Sequence, residues 1–319
     1  MKAFLSLLKS EHLEHRAGQL WTPVIVSAIL LVLLLGGMLY EGSMLINVTL
    51  EDTNVDVRSV EDVLEAIRTD LGPEKAKPVL QAIAFSSTYI ALLPVLLIAA
   101  LASYFIMLSS MHSERADRSV LFWKSMPVSD LKVAVAKFLS SSLGTLLFAA
   151  AVGIATALIT AICYAVAGST ATATPEWQSA IHPAVIGSTA LLAIATCLFY
   201  VLWAAPVYGW ILLASAWAPR SPLLYTAIPP VAIGILEVLT TRSGSWLMRE
   251  IGTRVSGSML HIDLPLGNVL YSPSGLAGML MNQIATMAAS AASPRFWLGL
   301  VFTVLCIWGT SEIRRRRIA

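Results

Sequence analysis

Six stretches of this chain are apolar over lengths that suit a lipid bilayer, and that pattern decides most of what it can fold into. A hydrocarbon core about 30 Å thick is crossed by roughly 20 helical residues. The runs 20–40, 85–109, 139–167, 186–213, 223–239 and 296–309 meet or approach that length. The third and fourth are longer than one upright helix needs, which predicts tilt or kinks. Pro94, Pro206 and the pair Pro229–Pro230 fall in or beside spans and are expected to bend them. Buried strands of a large α/β protein are short and do not repeat as runs of this length. Charged residues make up 13% of the chain, about half of what a soluble surface carries, so composition agrees. The expectation is an all-α, polytopic protein: one membrane domain over residues 1–319 with six transmembrane helices.

Charge placement orients the spans, because Lys and Arg collect on the cytoplasmic side. Lys2, Lys9 and Arg16 lie in the first tail. Arg115, Arg118, Lys124, Lys132 and Lys137 lie in the inner loop at 110–138. Arg220 follows span four, and the C-terminal tail carries Arg314, Arg315, Arg316 and Arg317. With six spans all of these fall on one side, so both termini are read as cytoplasmic. The segment 41–84 is acidic, with Glu51, Asp52, Asp56, Glu61, Asp62 and Glu65 among others, and is read as outside. Within it, Ser59 and Asp62 have capping-box spacing ahead of Val60, Val63, Leu64 and Ile67, which predicts a short helix ended by Gly72–Pro73. The last outer region, 241–293, departs mildly from the charge trend through Arg242, Arg249 and Arg254. In it, 276–292 is mostly apolar around Asn282 and Gln283. A crossing there would put the four-arginine tail outside, so this segment is read as lying on the membrane or dipping into it.

Residues 1–19 read as an amphipathic helix in the membrane interface, with Phe4, Leu5 and Leu8 on its apolar face. The first apolar run starts too late and runs too long for a cleavable signal, so it is read as a span that stays. His12 and His15 sit three apart, but no third ligand is placed, and His112, His182 and His261 are scattered, so no metal site is assigned. Cys163, Cys197 and Cys306 lie inside apolar runs and read as small buried hydrophobes. There is no Gly-Lys dipeptide, hence no phosphate-binding loop, and no dinucleotide glycine pattern or H-E-x-x-H. No catalytic or cofactor-binding residue is nominated, and no basic module suggests nucleic acid. Glu237 stands out near the outer end of span five as an intramembrane or interfacial polar site.

The inner loop is the most informative segment. It reads Ser113-Glu-Arg-Ala-Asp-Arg-Ser-Val-Leu-Phe-Trp-Lys-Ser-Met-Pro-Val-Ser-Asp130, then Leu131-Lys-Val-Ala-Val-Ala-Lys137. Alternating charge beside the bulky Leu121, Phe122 and Trp123 suits docking to a protein. The same residues also suit an interfacial turn whose aromatics meet lipid headgroups. Met126–Pro127 ends the element, and a new helix can begin with Ser129 or Asp130 as its cap. This run resembles the cytoplasmic loop of permease subunits from the type 2 ATP-binding-cassette exporters, tightly over 114–137 and more loosely over the rest.

The resemblance implies a multi-pass protein of a bacterial inner membrane. It implies pairing with a second permease copy or paralogue, and two separate ATPase subunits that hold ATP and Mg. It further implies that Glu114, Arg115, Asp117, Arg118, Leu121, Phe122, Trp123, Lys124 and Pro127 form the element coupled to the ATPase. Relatives often carry a short re-entrant hairpin before the final span, whereas 241–293 is long and rather polar. An ion-coupled secondary carrier and a non-transporting recruiting subunit are the rival readings, and the cargo is not legible.

Overall fold

The computed structural model describes residues 2–41, 73–117, 128–172, 181–242, 244–260 and 275–316. The short helix expected around 60–67 lies outside them. Every described element is helical. The order is α1 (Lys2–Glu14), a π-helical turn (Ala17–Trp21), α2 (Thr22–Glu41), α3 (Pro73–Ala116), α4 (Asp130–Leu139), a second π-helical turn (Ser140–Gly144), α5 (Thr145–Thr172), α6 (Pro183–Trp217), α7 (Pro222–Thr241), α8 (Trp246–Leu260), α9 (Gly275–Ala292) and α10 (Pro294–Arg316). Six helical stretches among the described residues are long and apolar enough to cross a membrane: Ala17–Gly36, Thr88–Ala116, Asp130–Cys163, Pro183–Trp217, Pro222–Thr241 and Pro294–Arg316. The protein is an all-α, multi-pass membrane protein. The segment α9 is helical but is not one of the six.

The helices run past the apolar limits read from the sequence. The helix α3 has 44 residues, about 66 Å at 1.5 Å per residue, against a core of about 30 Å. Hydropathy stops where polar residues begin, but the backbone hydrogen bonds do not. The described helices also continue through their prolines: Pro206 lies inside α6, and Pro229 and Pro230 lie inside α7.

The centre of the bundle is α3, α5 and α6, with α10 laid along α6. Small residues let these backbones approach, as expected where lipid supplies no hydrophobic drive between helices. A Cβ at Gly209 of α6 would sit 3.2 Å from Cys306 Cβ and 3.3 Å from Thr303 Cα of α10. Ala149, Ala150, Ala204 and Ala205 are buried in the same core. Cys197 and Cys306 are buried free thiols, as their apolar setting predicts, while Cys163 is half-buried. Hydroxyls stitch α3 to α6. Thr88 meets Thr189 at 3.3 Å, Tyr89 meets Thr196 at 2.9 Å and Tyr104 meets Tyr200 at 2.9 Å. At the margin, α7 buries only Gly234.

One face of the helix α1 is packed on protein. Phe4, Leu7, Leu8 and Glu11 follow helical one-face spacing. That face packs on α4, where Leu7 is buried with Val133 and Ala136. Phe4 and Leu8 are partly buried against the same cluster, while Leu13 of α1 is exposed.

Candidate functional site

The base of the inner loop is built on a chain of buried charges. Lys137, at the end of α4, is fully buried. Its Nζ lies 2.8 Å from Glu11 Oε2 of α1 and 2.9 Å from Glu114 Oε1 of α3. The second oxygen of Glu114 accepts from Arg314 Nη1 of α10 at 2.6 Å. Arg314 Nε then donates to Asp130 Oδ1, in the first turn of α4, at 3.0 Å. Helix polarity assists, since Asp130 sits at an N-terminus and Arg314 in a last turn. Charges removed from water are tolerated when they are paired, and every charge in this chain has a partner, although Glu11 Oε1 is buried without a hydrogen bond among the described residues.

Four elements that share one side in the charge reading therefore meet at one point: the first tail, both ends of the inner loop and the last helix. Burial, the largest influence, pushes the Glu11 carboxyl above its ordinary value, and the neighbouring Lys137 opposes it.

The two π-helical turns lie beside this chain. Such turns widen the helix and change which carbonyls are served, and they recur at functional positions. The buried Gln19 of the first donates through Nε2 to the Ser140 carbonyl of the second at 3.2 Å. Its Oε1 lies 2.5 Å from His12 Nδ1. His12 is thus engaged with Gln19. The residues that do converge are Glu11, Glu14 and His15, each with a ligand atom within 4.8 Å of the others. Glu11 in that trio is already occupied by Lys137.

Burial holds the His15 imidazole below its ordinary value, with Glu14 opposing. A depressed value means that the unfolded chain takes the proton more readily. The His15 contribution to stability is complete above about pH 6.5 and is lost as pH falls through that value and below it. The melting temperature of the wild type relative to a His15→Gln variant is therefore expected to drop between pH 7.5 and pH 5.5. A pH-independent difference would mean that His15 is not held neutral here.

The residues nominated for coupling separate into groups. Glu114 is buried in the charge chain. Arg115 donates to the carbonyls of Ser215 and Ala218, so it clasps the C-terminal end of α6. Asp117 is exposed. Arg118, Leu121, Phe122, Trp123, Lys124 and Pro127 lie outside the described residues. The helix α4 starts at Asp130 as expected; Ser129 holds the cap position, but its hydroxyl makes no capping bond.

Glu237 works as a cap. Its Oε2 accepts from Ser245 Oγ at 2.8 Å and from Leu247 N–H at 3.1 Å, while Ser245 Oγ accepts from Met248 N–H at 3.2 Å. A carboxylate from α7 thus closes the N-terminus of α8.

No protein-family model, no curated protein and no solved structure matches this chain. Its functional reading therefore rests on residues and geometry.

A second polar centre was hidden in the outer region. Arg254 of α8 is buried between α6 and α10. It pairs with Glu250 at 2.9 Å and donates to the carbonyls of Trp203 at 3.1 Å and Arg295 at 2.7 Å. Its guanidinium also lies 5.3 Å from the Trp203 ring centroid. Gly299 makes the room: a Cβ there would sit 2.5 Å from Arg254 Nη1 and 2.8 Å from Pro206 Cγ. Trp203 is about 21 Å along α6 from its C-terminal end, so α8 packs against the middle of that helix.

Proposed function

We propose that this chain is the permease subunit of an ATP-driven exporter of the type 2 ATP-binding-cassette class, seated in a bacterial inner membrane. One observation carries the mechanical part of this reading. The two helices that flank the inner loop, α3 and α4, are locked by buried ion pairs to each other, to α1 and to α10. A force on the loop then reaches several spans at once. The loop residues themselves, with Phe122 and Trp123 between charged neighbours, supply the docking surface.

In this proposal two separate ATPase subunits bind ATP and Mg and close on each other. The loop follows their motion, and Glu114 and Arg115 pass it on from beneath. Glu114 works through Lys137 and Arg314, and Arg115 through the end of α6. The permease pairs with a second copy or paralogue, and the paired spans alternate between inward-open and outward-open states. Hydrolysis belongs to the partner, and this chain provides the path.

The Phe122→Ala/Trp123→Ala variant tests it, with the ATPase encoded nearest this chain as the co-expressed partner. The variant is expected to lose most of the co-purifying ATPase while its own melting temperature stays within a few degrees of wild type. Unchanged co-purification by a folded variant would overturn the coupling role of the loop.

A further inference from the structure

We infer that the inner ends of α6 and α10 form a site for one phospholipid with an anionic headgroup. A groove of about 630 Å³ lies between them. That is the size of a small-molecule pocket, about 300–1,000 Å³. Its walls are Trp210, Leu213 and Trp217 from α6 and Trp308 from α10, with Glu312 and Arg316 at the end where α10 turns basic.

Two of the three tryptophans are anchored by α7. Trp210 donates its indole N–H to the Thr226 carbonyl at 3.0 Å, and Trp217 meets Tyr225 edge-on at 5.4 Å. Gly309 keeps the floor thin, since a Cβ there would come within 3.2 Å of Leu213. Tryptophan at the end of a span is suited to the headgroup level, where an apolar ring meets a wet boundary.

Charge selects the occupant. Glu312 Oε1 holds Arg315 at 3.0 Å and Arg316 at 2.5 Å, so one carboxylate positions two guanidiniums and leaves the trio with net positive charge. Both arginines are more than two-thirds exposed, which leaves donor surface facing outward. A phosphodiester satisfies such donors in a planar, bidentate way. An acyl chain then lies along the tryptophan-lined wall. Arg314 of the same run is turned inward to Glu114 and Asp130, so the run divides its work between folding and lipid. A lipid here would bridge α6 and α10 beside the charge chain at the inner face.

The test is competition by native mass spectrometry on purified full-length protein. Phosphatidylglycerol and phosphatidylcholine with identical acyl chains are offered at equal concentration. The wild type is expected to retain phosphatidylglycerol at least fivefold over phosphatidylcholine. Arg315→Gln/Arg316→Gln should bring the two lipids to equal retention without lowering the melting temperature, because both side chains are exposed. Gly309→Leu, which fills the groove, should reduce retention of both lipids, and glycerol phosphate alone should displace neither.

Equal retention of the two lipids by the wild type would overturn the inference. So would a phosphatidylglycerol preference that survives the double arginine change. A photocrosslinker at Trp308 that captures a second copy of this chain or another protein, with no lipid adduct, would overturn it as well.

Discussion

Lys137→Met is expected to destabilise the protein by about 3–5 kcal/mol, the range for removing one partner of a buried ion pair. The side chain is fully buried and holds two carboxylates from two other helices. Without it, Glu114 keeps Arg314, but Glu11 loses its only ion pair among the described residues. Glu11 is almost fully buried in the α1–α4 seam, so it must take up a proton or draw water in. Either event loosens α1 from Val133 and Ala136.

The companion variants carry the interpretation. Adding Glu11→Gln to Lys137→Met should recover part of the loss, because the orphaned charge is gone. Replacing both residues with apolar side chains should come close to wild type, since a well-packed apolar pair often matches a buried ion pair. The readout is thermal unfolding of the detergent-solubilised protein by intrinsic fluorescence. Strictly additive effects of the two substitutions would show that the residues do not act as a pair.

The second large effect is expected at Gly299. Even alanine there places a Cβ in contact with the buried guanidinium of Arg254 and with the ring of Pro206. Pro206 is buried within α6 and has little freedom to move, so the arginine must leave. Its departure breaks its hydrogen bonds to the carbonyls of Trp203 and Arg295 and its ion pair with Glu250. A hydrogen bond to a charged group contributes about 1.5–3 kcal/mol, so Gly299→Ala is predicted to lose several kcal/mol in total.

The loss should be shared with Arg254→Met, which removes the same bonds. A double-mutant cycle should be strongly sub-additive. A cysteine placed at Thr253 should label faster in either variant than in wild type, reporting release of α8 from α6. Gly299→Ala with wild-type stability and labelling would mean that Arg254 does not occupy the cleft.

Much of the membrane architecture was legible in the residues. Leu, Val, Ile and Ala runs of bilayer length became helices, and the basic segments around Lys9, Arg115, Lys132 and Arg314 ended up on the same face of the bundle. The charges of the inner loop were visible, but composition could not tell which look outward. Glu114 and Arg115 read as contact points for a partner, and in the fold they are turned into the protein. The amphipathic face of α1 was visible too, but an apolar stripe reports that something covers it, not whether lipid or protein does. Arg254 read as a mild exception to the charge bias of an outer loop, and it is a buried clasp.

The amino-acid sequence by itself determined the helical class and the six segments long and apolar enough to cross a membrane, because the length of an apolar run is a property of each segment along one dimension. Only the tertiary structure decided the partners of Glu11, Lys137 and Arg314, which are drawn from helices 126 and 200 residues apart. A charge states that it needs a counter-charge or water. Which one it finds depends on how helices cross and where glycine lets them close, and those are properties of packing rather than of any segment.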